Sequence, residues 1–173
     1  YTLAVASFEG LEELAMLRRG ASGVAGMILP PPLCEDQTLL DGLDERKVPY
    51  VQIAAAAEYR RGDCVFIDDR AAAQEMTQHL IEQGHQRIGF IGSPNTFAQT
   101  REREKGFREA IQEASLSLDQ DLVRDGAFTF ESGREATATM LDSDAPPTAI
   151  FAANDDMAAG VLAESYRRQM RVP

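Results

Sequence analysis

The sequence predicts an α/β fold built on parallel sheet flanked by helices. Short apolar runs alternate along the whole chain with segments whose apolar residues recur at helical spacing. The runs are continuous rather than alternately apolar and polar, as expected of strands covered on both faces. Short connections in strand–helix–strand–helix order complete the pattern of parallel pairing through helical crossovers.

Taken in order, Leu3 to Ala6 reads as a short strand, and Leu11, Leu14, Ala15 and Arg18 mark a helix face ended by Gly20. Val24 to Leu29 is a buried strand stopped by Pro30-Pro31-Pro32. Leu39, Leu40 and Leu43 share a helix face that Asp36 can cap. Val48 to Ile53 is the next strand, with Pro49 tolerated near its start. Val65-Phe66-Ile67 follows. Ala72, Ala73, Met76 and Leu80 then repeat at helical spacing up to Gly84. In the second half, Ile88 to Ile91 is a strand and Phe107, Ala110, Ile111 and Ala114 form a helix stripe. Leu122-Val123 opens a short edge strand running toward Phe128. Ala136, Met140 and Leu141 lie on a helix, Thr148 to Ala152 is a strand, and Met157, Val161 and Leu162 run down the final helix.

The 173 residues, 44% hydrophobic and 26% charged, suit one globular domain or two small lobes. Seventeen bases against 28 acids give a net charge of −11. A free-standing nucleic-acid module needs a cationic face, and so does attachment to an anionic membrane surface. No apolar run approaches the ~18 residues of a membrane span. The start, Tyr1-Thr2-Leu3-Ala4-Val5, has no basic region, so no secretion signal is expected. With no initiator Met and an abrupt end at Arg171-Val172-Pro173, a piece of a longer protein is expected. Cys34 and Cys64 are too few for a disulfide framework or zinc site, and reduced thiols suit the cytosol.

In open parallel sheets, ligands bind beyond the carboxyl ends of the strands. The residues there are Ser7-Phe8, Pro30 to Pro32, Asp68-Asp69, Ser93-Pro94-Asn95, Phe128 and Asn154-Asp155-Asp156. Amides, carboxylates, hydroxyls and aromatics together suit a polar, uncharged ring. Asp68 and Asn154 equally suit capping of the helices that follow, and one residue can do both.

Enzyme chemistry has little support. There is no phosphate-binding GxxxxGK[ST] loop, no GxGxxG after a strand and no nucleophile elbow at Gly92-Ser93-Pro94. His79 and His85 read as surface or packing residues. Asp68-Asp69 and Asp155-Asp156 could bind Mg²⁺ in principle, but adjacent carboxylates rarely converge on one ion. Arg101, Arg103 and Lys105 read by themselves as a solvated charged helix start.

Four segments nonetheless carry a resemblance. They are Val65-Phe66-Ile67-Asp68-Asp69; Leu80 to Gly92, which holds Gly84-His85 and Ile88; Arg103-Glu104-Lys105-Gly106-Phe107; and Pro147 to Gly160, which holds Asn154-Asp155. In that order and spacing the chain resembles the ligand-binding domain of the LacI/GalR family of bacterial transcriptional repressors. Val24 to Leu29 stands where that family has V-D-G-I-I-L, so the likeness covers nearly the whole chain. Asp69 replaces the family's usual amide, Phe8-Glu9-Gly10 is short, and Arg168-Gln169-Met170 lacks the Gly expected before Val-Pro.

The resemblance implies a two-lobed periplasmic-binding-protein-like type I fold, incomplete at both ends, with lobes over 1–85 and 86–173. It implies effector contacts at Arg103, Asn154, Asp156, Phe128, Asp69 and Phe97, with Phe128 as an apolar wall for a ring. The effector would be a sugar or a nucleoside-like molecule, with no cofactor and no metal. The chain would form a homodimer in the cytoplasm and control operator DNA allosterically, through a helix-turn-helix headpiece outside this sequence. No enzymatic activity and no membrane partner are expected. The alternative is a periplasmic sugar-binding receptor of a transporter, which shares the fold.

Overall fold

The computed structural model describes residues 25–93 and 98–173. The first expected strand and helix, Ser7-Phe8, Pro94-Asn95 and Phe97 lie outside the described residues. The chain divides into two compact units, one ending at Phe66 and one running from Ile67 to Pro173. The helix that follows Asp68 belongs by its packing to the second unit.

The first unit holds a parallel sheet of β1 (Met27–Leu29), β2 (Tyr50–Ile53) and β3 (Cys64–Val65), in that order. Strand β1 is shorter than the apolar run that predicts it, and β3 stops before Phe66 and Ile67, which are half or more exposed. Helix α1 (Gln37–Glu45) begins where Asp36 accepts a hydrogen bond from the Leu39 N–H at 3.0 Å. Its Leu39, Leu40 and Leu43 pack with Leu29, Cys34 and Ala55 into a small core. Burial within that core pushes the Cys34 thiol up to about 11.

Alternation along the strands puts Leu29, Tyr50, Gln52 and Cys64 on the α1 side and Ile28 and Val65 on the other. Among the described residues only the first face is covered, since Ile28 is 65% and Val65 60% exposed. Gln52 is fully buried in β2 but satisfied. Its amide donates to the carbonyls of Cys34 and Tyr59, and its oxygen accepts from the Arg61 N–H.

The second unit is a sheet ordered β5-β4-β6, all parallel, with a helix pair on each side. In chain order come α2 (Asp69–Glu82), β4 (Ile88–Gly92), α3 (Ala98–Glu113), β5 (Val123–Asp125), α4 (Phe130–Leu141), β6 (Ala149–Ala152) and α5 (Asp155–Arg167). Every residue of the central β4 is buried. Phe90 stacks on Phe107 of α3 with ring centroids 5.0 Å apart and meets Phe151 edge-on at 5.5 Å. Gly89, on the opposite face, lies against Met140 of α4. Sheet faces covered on both sides are therefore realised here.

Each helix pair meets backbone to backbone. A methyl group at Gly106 of α3 would overlap the Arg70 carbonyl of α2, and its next neighbour, the Gln74 nitrogen, would stand at 2.9 Å. A methyl at Gly160 of α5 would overlap the Phe130 carbonyl and sit 2.6 Å from the Arg134 nitrogen on α4. Gly133 of α4 meets the Met157 backbone in the same way. This contact sets the face that α2 buries. Ala73 and Thr77 point inward, while Ala72 is exposed and Met76 is 48% exposed, so of the expected stripe Ala73 and Leu80 face the core and Ala72 and Met76 do not. Thr77 tolerates burial because its hydroxyl donates to the Ala73 carbonyl at 2.7 Å.

Buried charge locks α5. The Glu164 carboxylate is fully buried and accepts from Arg167 and from Arg168, at 2.7 Å from the Arg168 Nε. Arg168 reaches across to Asp142, the residue that ends α4. The two guanidinium groups hold the Glu164 carboxyl down at about 2. Among the described residues no helix is long and apolar enough to cross a membrane.

Packing of this kind gives opposite signs to two glycine substitutions. Gly106→Ala lowers stability by about 1–3 kcal/mol through overpacking, although Ala is favoured over Gly inside a helix by about 1 kcal/mol. Gly42→Ala in α1, where an added methyl meets only the end of the Arg46 side chain, raises stability by roughly 0.5–1 kcal/mol. Urea denaturation of both variants checks the two signs; a stabilised Gly106→Ala contradicts the backbone contact. Stability also depends on pH through Glu164. A carboxyl lowered by folding contributes stability above its unfolded pKa and loses that contribution as pH falls toward the folded value. Wild type therefore weakens between pH 4.5 and about 2 partly through Glu164, and Glu164→Gln flattens that part of the stability profile. Equal slopes in the two proteins would refute it.

Candidate functional site

The carboxyl end of β6, the starts of α2 and α5 and Arg103 of α3 meet at an open pocket of about 440 Å³. Asp68 is the N-cap of α2, accepting from the Ala71 N–H at 3.0 Å. That cap places Asp69 in the first turn, where its carboxylate accepts from Arg103 Nε at 2.8 Å with only a tenth of its side chain exposed. Arg103 sits one turn before Gly106 on the same side of α3. The helix contact at Gly106 thus brings Arg103 to the start of α2. One terminal nitrogen of the Arg103 guanidinium also donates to the Ala153 carbonyl just beyond β6. A guanidinium has five N–H donors, so these two bonds leave three further donors on a side chain that lines the pocket.

Asn154 follows β6 and caps α5, its side-chain oxygen accepting from the Met157 N–H at 3.0 Å. Its Nδ2 donates to the Phe128 carbonyl at 3.2 Å. Phe128 has a positive φ of 58° in the turn after β5 and packs half-buried against the second core. The expected run of edge strand toward Phe128 therefore ends at Asp125. There the chain turns, with Gly126 N–H donating to the Gly92 carbonyl at 2.9 Å.

Asp69, Arg103 and Asn154 line one pocket. Phe128 is joined to it through Asn154. Asp156 is exposed in the first turn of α5 and does not line this pocket, whereas its neighbour Asp155 does. Phe97 lies outside the described residues. The apolar lining comes from Ile67, Ala72, Met76 and Phe151 among others. Sequence periodicity assigned Ala72 and Met76 to a core stripe. The signal that corrects this is the Gly of R-x-x-G-F, which fixes the face α2 turns toward α3. The Ala153 carbonyl, a backbone acceptor, has no sequence signature.

The family model described as a periplasmic binding protein-like domain matches residues 77–173. The HTH-type transcriptional repressor CytR of Escherichia coli K12 is 38% identical over 109 residues, which are 63% of this chain and 32% of that protein. The structure of the transcriptional regulator CelR in complex with cellobiose is 34% identical, with a TM-score of 0.79, over 95% of this chain and 51% of that one. A LacI-family regulator from Enterococcus faecium with bound ribose is 26% identical, with a TM-score of 0.80, over 94% of this chain and 60% of that one. The chain spans about a third of the length of the curated relatives it matches first. The fold, the pocket at the strand ends and these likenesses agree: the chain belongs to the periplasmic binding protein-like domain family, and the relatives it matches are LacI-family transcriptional regulators.

Proposed function

We propose that this domain senses a small polar molecule, a sugar first and a nucleoside-like compound second, and passes that information to operator DNA. The observation that carries the reading is Arg103. It is held in place by Asp69 and the Ala153 carbonyl, and it stands beside Asn154 in the pocket. A fixed guanidinium suits bidentate pairing with vicinal hydroxyls or a carboxylate. Asn154 adds an amide, and Phe128 supplies a ring for stacking. The sugars bound to the CelR and Enterococcus faecium regulators support a sugar before other effectors.

The mechanism is a population shift. An effector that binds one arrangement of the regulator better than another changes operator affinity by the difference, typically about 1–3 kcal/mol. The acidic charge of the domain fits DNA contact made by a headpiece outside this chain. A homodimer suits a palindromic operator, and the side of α5 carrying Leu162 (54% exposed) and Tyr166 (85% exposed) is a suitable surface for it. The cytoplasm is the compartment for such a regulator. No enzymatic activity is part of this reading. The relatives' being transcriptional regulators weighs for it over a transporter receptor.

The test starts with thermal shifts of the full regulator in ribose, cellobiose and nucleosides. A ligand at about 100 times its Kd adds about 2.7 kcal/mol. Calorimetry on Arg103→Lys then decides the residue's role, since Lys keeps the charge beside Asp69 and loses the planar fork. The expected loss is ten- to a hundredfold in affinity, or about 1.5–3 kcal/mol for a charge-assisted bond. Wild-type affinity in Arg103→Lys would leave Arg103 as a clamp between α2 and α3 and remove it from the site.

A further inference from the structure

We propose that Asn154 is a positioning residue for Phe128: its amide sets where the Phe128 ring stands by holding that residue's backbone in the left-handed region. The proposal rests on the effector reading only for what the ring is used for. A bulky residue at φ 58° is an outlier that persists only where its surroundings over-determine it. The surroundings here do so from both sides. Before Phe128, the Gly126 N–H is bonded to the end of β4, and Gly126 has no room for a side chain against Met157, the Gly92 carbonyl and Ile91. After it, Thr129 and Ser132 form a reciprocal capping box at the start of α4. The Ser132 hydroxyl oxygen also accepts from the Ala127 N–H at 2.9 Å. At Phe128 itself, the carbonyl accepts from Asn154 Nδ2.

The orientation of that amide is determined. Its oxygen faces an N–H, that of Met157, and its nitrogen faces a carbonyl, that of Phe128. A flipped amide would set donor against donor and acceptor against acceptor. Capping of α5 and support of Phe128 are thus two halves of one side chain. Capping alone does not require Asn, because Ser and Asp cap about as well. Neither can serve Phe128, since Ser is too short to span both partners and an ionised Asp has no donor. The second half is therefore separable from the first by substitution.

The chain contains no tryptophan, so Phe128→Trp installs a single fluorescent reporter at the position in question. Acrylamide quenching and anisotropy are measured for Phe128→Trp alone and combined with Asn154→Ser or Asn154→Asp. The proposal expects quenching to rise at least about twofold and local anisotropy to fall in both combinations, with helix content retained. Unchanged quenching and anisotropy in folded double variants overturn it and leave Asn154 a helix cap only. A second measurement covers a double variant that fails to fold. Glycine takes a positive φ without strain, so Asn154→Ser should lower the urea midpoint less in a Phe128→Gly background than in wild type. An equal drop in both backgrounds overturns the proposal. Titration of the reporter with ribose and cellobiose separates the two readings. A reporter signal that depends on Asn154 but ignores both sugars counts against the sugar site and leaves the positioning role standing.

Discussion

The second unit depends on one constraint, that its paired helices touch through their backbones. Side chains are excluded at Gly106, Gly133 and Gly160, so α2 lies directly on α3 and α4 on α5. A helix pair that close has little freedom to slide or rotate, because the carbonyl of one helix fills the gap left by the missing Cβ of the other. The polar residues of the pocket inherit this precision. Arg103 stands one turn from the Gly106 contact and Asn154 less than two turns from Gly160. The ion pair between Asp69 and Arg103 and the bond from Asn154 to Phe128 each join elements whose spacing is already set by a glycine.

Two sequence motifs acquire physical meaning from this constraint. In Arg103-Glu104-Lys105-Gly106-Phe107, the Arg enters the pocket, the Gly admits α2, and the Phe stacks under β4 on Phe90. In Asn154 to Gly160, the Asn caps α5 and reaches Phe128, Met157 fills the core, and the Gly admits α4. Each motif thus holds one polar group for the pocket and one or two residues that place it. Two fully buried polar side chains elsewhere follow a matching rule. Gln52 and Glu164 are completely buried, and each is surrounded by partners that meet its hydrogen-bonding capacity.

By itself the sequence determined the fold class and most elements of the described chain. Apolar run length, helical spacing and caps such as Asp36, Asp68 and Asn154 are local properties, and local chemistry sufficed for them. The motifs also pointed to Asp69, Arg103 and Asn154, although charge pattern alone left Arg103 as a solvated residue between two glutamates. Tertiary structure decided the rest, because the deciding forces act between distant segments. That α2 packs on α3 within the second unit, which runs from Ile67, is one such outcome. The face buried by α2 turned away from Ala72 and Met76 because Gly106 stands opposite Arg70. Asp155 rather than Asp156 lines the pocket because the turn of α5 after its cap, not the order of the carboxylates, sets direction. The left-handed Phe128 has more than a local cause: beside the Thr129–Ser132 capping box that follows it, the end of β4 and Asn154 converge on the same turn, and only the folded chain brings those two to it.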